Sequence, residues 1–325
     1  MHRAVLMILP ALLLSACGGP STPATPGSNP EPVAATSGTI NGTRVVAQGT
    51  YQFSFTPKDG ESVTGSAQIE KAEVRNLSQG KASVKVCGNV KTNGDLTATL
   101  TLDATGSMSW NDPDERRRQA GHAFAKRMRQ QDQGAVLSFD STTEPSAGLR
   151  ASYLWQDFTG NQGQMTSAVN HATFVGGNTP LYDAVMDASD LLKTTGKSNT
   201  RILILTDGED NASVSTTAQA IAHANLNRTP VYIVGLDVTG KVDFTVAEDI
   251  ASQTGGLFQK TADARELTDM FDKLFNSAEA EGCLELNFTE TPPAGTVVTG
   301  ELAVTLKDNG KKNSTVVTPF SVTVR

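Results

Sequence analysis

Two textures alternate along the chain. Between residues 38 and 90 apolar and polar side chains trade places at every second position, as in Tyr51-Gln52-Phe53-Ser54-Phe55 and Ala82-Ser83-Val84-Lys85-Val86, with turn signals such as Lys58-Asp59-Gly60 between them. A period of two marks strands with one buried face. From residue 96 the pattern changes to short apolar runs separated by longer helical stretches. Strands are predicted at 96–102, 135–139, 151–156, 201–205 and 231–235, and helices at 113–129, 162–172, 180–193, 216–224, 242–252 and 262–275. After Cys283 the strand texture returns in 284–288, 297–298, 302–306 and 316–324, with an Asp308-Asn309-Gly310 turn.

Alternating strands and helices with continuous apolar strands predict an α/β fold, a doubly wound and mostly parallel sheet covered on both faces, over 96–278. The flanking segments, 38–95 and 279–325, are each too short for an independent core. They are expected to pair into one small all-β sandwich built from both chain ends, with the α/β domain inserted in it.

The first sixteen residues read as an export signal: Arg3, an apolar run over 5–14 broken only by Pro10, then Leu14-Ser15-Ala16-Cys17. The run is too short to span a bilayer. Its close resembles the lipobox at which bacterial lipoproteins are cut and acylated, which implies a mature chain starting at Cys17 and lipid-anchored to the cell envelope. Gly18 after the cysteine resembles the outer-membrane-directed pattern of diderm bacteria. The alternative is an ordinary cleaved signal with an incidental cysteine. Residues 17–37, rich in Pro, Ser and Thr, have little to bury and read as a flexible tether.

Composition narrows the partners. The formal charge is -7, and the single basic run is Arg116-Arg117-Arg118 on a predicted helix, read as a solvated face, so nucleic acid is not expected. Of three cysteines, lipid takes Cys17 and leaves Cys87 and Cys283 flanking the α/β region. In an oxidising compartment that parity suggests one disulfide at the root of the insertion. Two buried free thiols are the alternative.

The chemistry concentrates in three stretches. Asp103-Ala104-Thr105-Gly106-Ser107 follows the first α/β strand, Thr179 stands before Pro180 at a helix start, and Asp207 ends the most apolar strand. In a parallel sheet all three reach one edge, where ligands of this architecture sit. Taken singly, each hydroxyl or carboxylate could be a helix cap. His122, His171 and His223 lie in predicted helices without a second ligand at metal spacing.

Together these stretches resemble the metal-ion-dependent adhesion site of von Willebrand factor A domains, whose first motif is D-x-S-x-S, followed by a separate Thr and a separate Asp. The resemblance covers roughly residues 96–277, with Thr105 in place of the usual Ser. It implies that Thr105, Ser107 and Thr179 offer hydroxyl oxygens to a metal while Asp103 and Asp207 act largely through bound water. An all-oxygen set with few direct carboxylates suits Mg²⁺ or Mn²⁺, with Ca²⁺ as the alternative. The resemblance further implies a non-enzymatic protein that binds a partner presenting an Asp or Glu side chain, with no small-molecule substrate. A second reading is an accessory subunit or scaffold of an envelope complex in which the metal is structural. A hydrolase built on Ser107 and a histidine is disfavoured, since no base is expected at that edge.

Overall fold

Apolar alternation sets the first elements of the structure, a computed structural model that describes residues 31–173 and 176–325. The signal segment, Cys17 and most of the tether lie outside the described residues. Strands β1 (Ser37–Ala47) and β2 (Thr50–Asp59) form an antiparallel hairpin that turns at Gly49, whose φ of 70° suits a residue without a Cβ. Tyr51, Phe53 and Phe55 on one face of β2 are fully buried. The short β3 (Ser62–Val63) pairs with β2, and β4 (Gln68–Arg75) and β5 (Lys81–Thr92) follow.

The α/β region then runs β6 (Thr97–Asp103), α1 (Met108–Asn111), α2 (Arg116–Arg127), β7 (Gln133–Phe139), β8 (Ser152–Thr159), α3 (Gln162–His171) and α4 (Leu181–Thr194). It continues through β9 (Thr200–Thr206), α5 (Thr217–Asn227), β10 (Val231–Leu236), α6 (Thr245–Gln253), β11 (Phe258–Thr261) and α7 (Leu267–Glu279). Every residue of β6 and β10 is buried, because helices cover both faces of the sheet. Apolar residues of α2, α3 and α7 fill one face, including Phe124, Val169 and Phe271. Those of α4, α5 and α6 fill the other, including Val185, Ala224 and Ile250.

Three strands close the chain: β12 (Ala280–Glu290), β13 (Val297–Lys307) and β14 (Ser314–Thr323). The large sheet has eleven strands, in the order β5-β12-β2-β1-β11-β10-β9-β6-β7-β8 with β3 beside β2. Strands β11, β10, β9, β6 and β7 are parallel, while β8 runs antiparallel to β7. A second, antiparallel sheet is ordered β14-β13-β4. It shares a core with the β5-β12-β2-β1 portion, centred on Phe53, Phe55, Leu284, Leu302 and Phe320.

Both chain ends therefore do meet in a sandwich, but one of its leaves is the continuation of the central sheet. The physical cause is a pairing of β1 with β11 at Thr43 and Phe258, which covers an edge that would otherwise stand open. The large sheet is mixed, with a parallel run from β11 to β7 as expected and antiparallel strands on either side of it, and the stretch expected as a single helix over 262–275 begins as a short 3-10 turn, Ala264–Glu266, before α7. Cys87 on β5 and Cys283 on β12 form a disulfide across neighbouring antiparallel strands.

Candidate metal centre

Asp103 is the last residue of β6 and is fully buried. Chain reversal just after it lets the Thr105 backbone N–H donate to its Oδ1 at 2.8 Å, and Thr206 at the end of β9 donates its hydroxyl to Oδ2 at 2.6 Å. Two residues further, the Thr105 and Ser107 hydroxyl oxygens stand 3.2 Å apart. Ser107 in turn donates to Asp207 Oδ1 at 2.7 Å, and the Asn111 side-chain amide donates to Oδ2 at 2.9 Å. Four of the five expected ligand side chains are thus joined by one hydrogen-bonded cluster.

Thr179 reaches the same place from another loop. A methyl group on Gly208, next to Asp207, would stand 3.4 Å from Thr179 Oγ1. Backbone bonds tie its loop to the Asp103–Ser107 loop: Gly106 N–H to the Gly177 carbonyl at 3.0 Å and Gly176 N–H to the Ala104 carbonyl at 2.8 Å. Asn211 fixes Thr179 itself, accepting its N–H on the side chain at 2.7 Å and donating its own N–H to the Thr179 carbonyl at 3.0 Å.

Helix capping does not account for these hydroxyls. Ser107 stands at the N-cap of α1 without a side-chain cap bond, and the N-cap of α4 is Pro180. Donors at the start of α4 go elsewhere: Tyr182 N–H to Asp210 Oδ2 at 3.0 Å and Asp183 N–H to Ser213 Oγ at 3.1 Å. The loop after Asp207 therefore buttresses the helix that follows Thr179.

Electrostatics sharpen the picture. Burial, and then the nearby Asp207 charge, push the Asp103 carboxyl up to about 6, and burial raises Asp207 as well. Buried Asp140 and Asp183 are held by N–H and hydroxyl donors, whereas Asp112, Asp132, Asp187 and Asp237 each pair with an Arg or Lys. Among the described residues neither Asp103 nor Asp207 does. Two adjacent buried carboxylates without a basic partner are costly unless a cation joins them. The surrounding donors are all oxygen, and no group of three or more His, Cys, Asp or Glu that could hold a metal occurs among the described residues. This set fits a hard divalent cation held mainly by hydroxyls, and it does not fit zinc.

The histidines lie apart from this cluster in their bonding. His122 meets Asn170, His171 stacks on Trp155, and His223 meets Asp190 at 2.6 Å. Trp110, three residues past Ser107, is 67% exposed. The Arg116-Arg117-Arg118 run is not a uniformly solvated face: Arg117 is fully buried, with Nη1 on Asp112 at 2.9 Å and Nη2 on the Thr173 carbonyl at 2.9 Å. Arg117 shares a helix face with Ala120, Gly121 and Phe124, all buried, a period readable in the sequence. Thr206 beside Asp207, and Asn111 one helical turn past Ser107, are supporting residues that sequence reasoning passed over.

Residues 99–209 match the family model of the von Willebrand factor type A domain. No curated protein matches the chain. Among solved structures, a von Willebrand factor type A protein from Catenulispora acidiphila is 13% identical, covering 80% of this chain and 75% of that one, with a TM-score of 0.47. The proximal thread matrix protein 1 of the mussel byssus is 14% identical over 62% of this chain and 51% of its own, with a TM-score of 0.48. The vWF domain of a type V pili tip protein from Porphyromonas gingivalis is 12% identical over 56% of this chain and 94% of its own, with a TM-score of 0.43. The matched stretch contains all five expected ligand side chains, and over that stretch the chain is similar to a von Willebrand factor A domain.

Proposed function

We propose that this chain is an exported, lipid-anchored binding protein of the cell envelope. Its A domain would capture a partner protein through a divalent cation, Mg²⁺ or Mn²⁺, held by Thr105, Ser107 and Thr179 with Asp103 and Asp207 behind them. The observation that carries this reading is the adjacency of two buried carboxylates, without basic partners, to hydroxyls that cap no helix. When bound, the cation supplies a Lewis-acidic position that an Asp or Glu carboxylate of the partner can fill.

This chain's own residues do the rest. Thr206 and the Thr105 N–H orient Asp103, Ser107 and Asn111 orient Asp207, and Asn211 sets the Thr179 backbone. Binding rather than turnover is the role assigned, because no histidine is hydrogen-bonded to Ser107 among the described residues. The anchor rests on the Leu14-Ser15-Ala16-Cys17 sequence.

Isothermal titration with Mg²⁺ and Mn²⁺, followed by capture from envelope extract with and without chelator, tests the reading. Wild type should bind the ions and lose its captured partner with chelator, and folded Asp103→Ala and Thr179→Ala variants should neither bind the ions nor capture the partner. Capture that survives chelation and both substitutions refutes metal-mediated binding and favours the scaffold role. For the anchor, metabolic palmitate labelling should mark the wild type and spare Cys17→Ser.

A further inference from the structure

Both carboxylates of the cluster already have their oxygens engaged by this chain. Asp207 is the more telling, since its second oxygen is held by a residue outside the three motif stretches: Asn111 Nδ2 donates to Oδ2 at 2.9 Å while Ser107 holds Oδ1 at 2.7 Å. Asn111 ends the one-turn α1, and its place is fixed from behind. The next residue, Asp112, accepts the Arg116 and Arg117 backbone N–H groups at 2.6 and 3.1 Å and pairs with the buried Arg117 guanidinium, which also holds the Thr173 carbonyl. An amide braced in this way keeps its aim without ordering a loose side chain.

Resting on the function proposed above, we infer that Asn111 is a positioning residue that keeps Asp207 from ligating the cation directly. A carboxylate with both oxygens engaged is held in an outer role. The cation among Thr105, Ser107 and Thr179 then retains enough positive charge to accept a carboxylate from outside. Without the amide, Asp207 is free to turn one oxygen inward, adding a direct anionic ligand. That change tightens the metal and removes the partner's foothold, since ligand charge count sets affinity at such sites.

Mn²⁺ reads this directly, by EPR titration for affinity and by water-proton relaxivity for the number of exchanging waters on the bound ion. Asn111→Leu, close in volume but unable to donate, should bind Mn²⁺ about tenfold more tightly than wild type, with lower relaxivity. Asn111→Gln, which keeps the amide, should restore both toward wild type. Wild-type affinity and relaxivity in Asn111→Leu, or weaker binding at unchanged relaxivity, overturns the inference while leaving the metal site standing. A wild-type chain that binds no Mn²⁺ instead sinks the proposed function and this inference with it. Should Asn111→Leu fail to fold, Asn111→Ala carries the same expectation.

Discussion

Cys87 and Cys283 are separated by 196 positions in sequence, yet their Cα atoms lie 5.0 Å apart on neighbouring strands. The loop that their disulfide closes contains the entire α/β region, from β6 to α7. Cross-linking so distant a pair removes loop-closure entropy from the unfolded chain, on the order of 5 kcal/mol at the upper end for a loop of this length. The double variant Cys87→Ala/Cys283→Ala is expected to unfold in urea with a stability loss of about 2 to 5 kcal/mol. A midpoint within error of wild type would show that strand pairing alone holds the root of the insertion.

The magnesium response should depend on pH in a defined direction. Asp103 has its carboxyl pushed up to about 6, first by burial and then by Asp207. A carboxyl raised above its unfolded value, about 3.9, contributes stability that is complete below that value and lost as pH climbs through the folded one. Metal-free protein should therefore lose stability from about pH 4 to about 6 on account of this group. A cation that needs Asp103 ionised competes with the proton over the same interval. The rise in Tm produced by saturating Mg²⁺ is expected to be largest above pH 7 and to shrink below pH 6. Equal shifts at pH 5 and 7.5 would contradict the placement of Asp103 beside the ion.

Arg117 offers a test inside the arginine run. It is fully buried against Asp112, whereas Arg118 pairs with Glu115 at the half-exposed surface. Removing one member of a buried pair leaves the other without compensation, so Arg117→Ala should cost about 3 to 5 kcal/mol. Arg118→Ala should cost under about 1 kcal/mol. Equal urea midpoints for the two variants would refute the distinction.

These cases show which features a sequence can display. The central strands are legible because β6 and β10 are buried along their whole length, which forces unbroken runs of residues that tolerate burial. The proximity of the segments ending β6 and β9 is legible because the ends of neighbouring parallel strands converge on one edge, whereas the Thr179 loop joins α3 to α4 and follows no strand. Strand β11 is not legible, since four residues reading Phe-Gln-Lys-Thr carry no period, and pairing with β10 and β1 makes them a strand. Nor is the continuity of the large sheet, which depends on Thr43 meeting Phe258 across most of the chain. Asn111 is polar on a short helix, and nothing local says that its amide meets a carboxylate on β9's far loop. Arg117 is the intermediate case. Its spacing to Ala120, Gly121 and Phe124 announces an inward face, but its charge argues for water until Asp112 is seen beside it.

Two left-handed glycines separate backbone strain from site geometry. Gly177 has φ of 67° and Gly196 has φ of 63°, so an alanine at either meets the same unfavourable backbone region, costing about 1 to 2 kcal/mol. Their surroundings differ. A Cβ at Gly196 would meet nothing within 4 Å, whereas one at Gly177 would stand 2.6 Å from Ser141 Oγ and 3.0 Å from the Ser141 backbone nitrogen. Ser141 Oγ accepts the Asn178 N–H at 2.8 Å, and the Gly177 carbonyl accepts the Gly106 N–H at 3.0 Å. Displacing Gly177 must therefore move the Thr179 loop and the Asp103 to Ser107 loop relative to each other. Gly196→Ala is expected to lower Tm and leave Mg²⁺ affinity unchanged, while Gly177→Ala lowers Tm and weakens Mg²⁺ binding at least about tenfold. Titration calorimetry on the two variants decides the matter, since undiminished Mg²⁺ binding in Gly177→Ala would mean that the Thr179 loop contributes nothing to holding the ion.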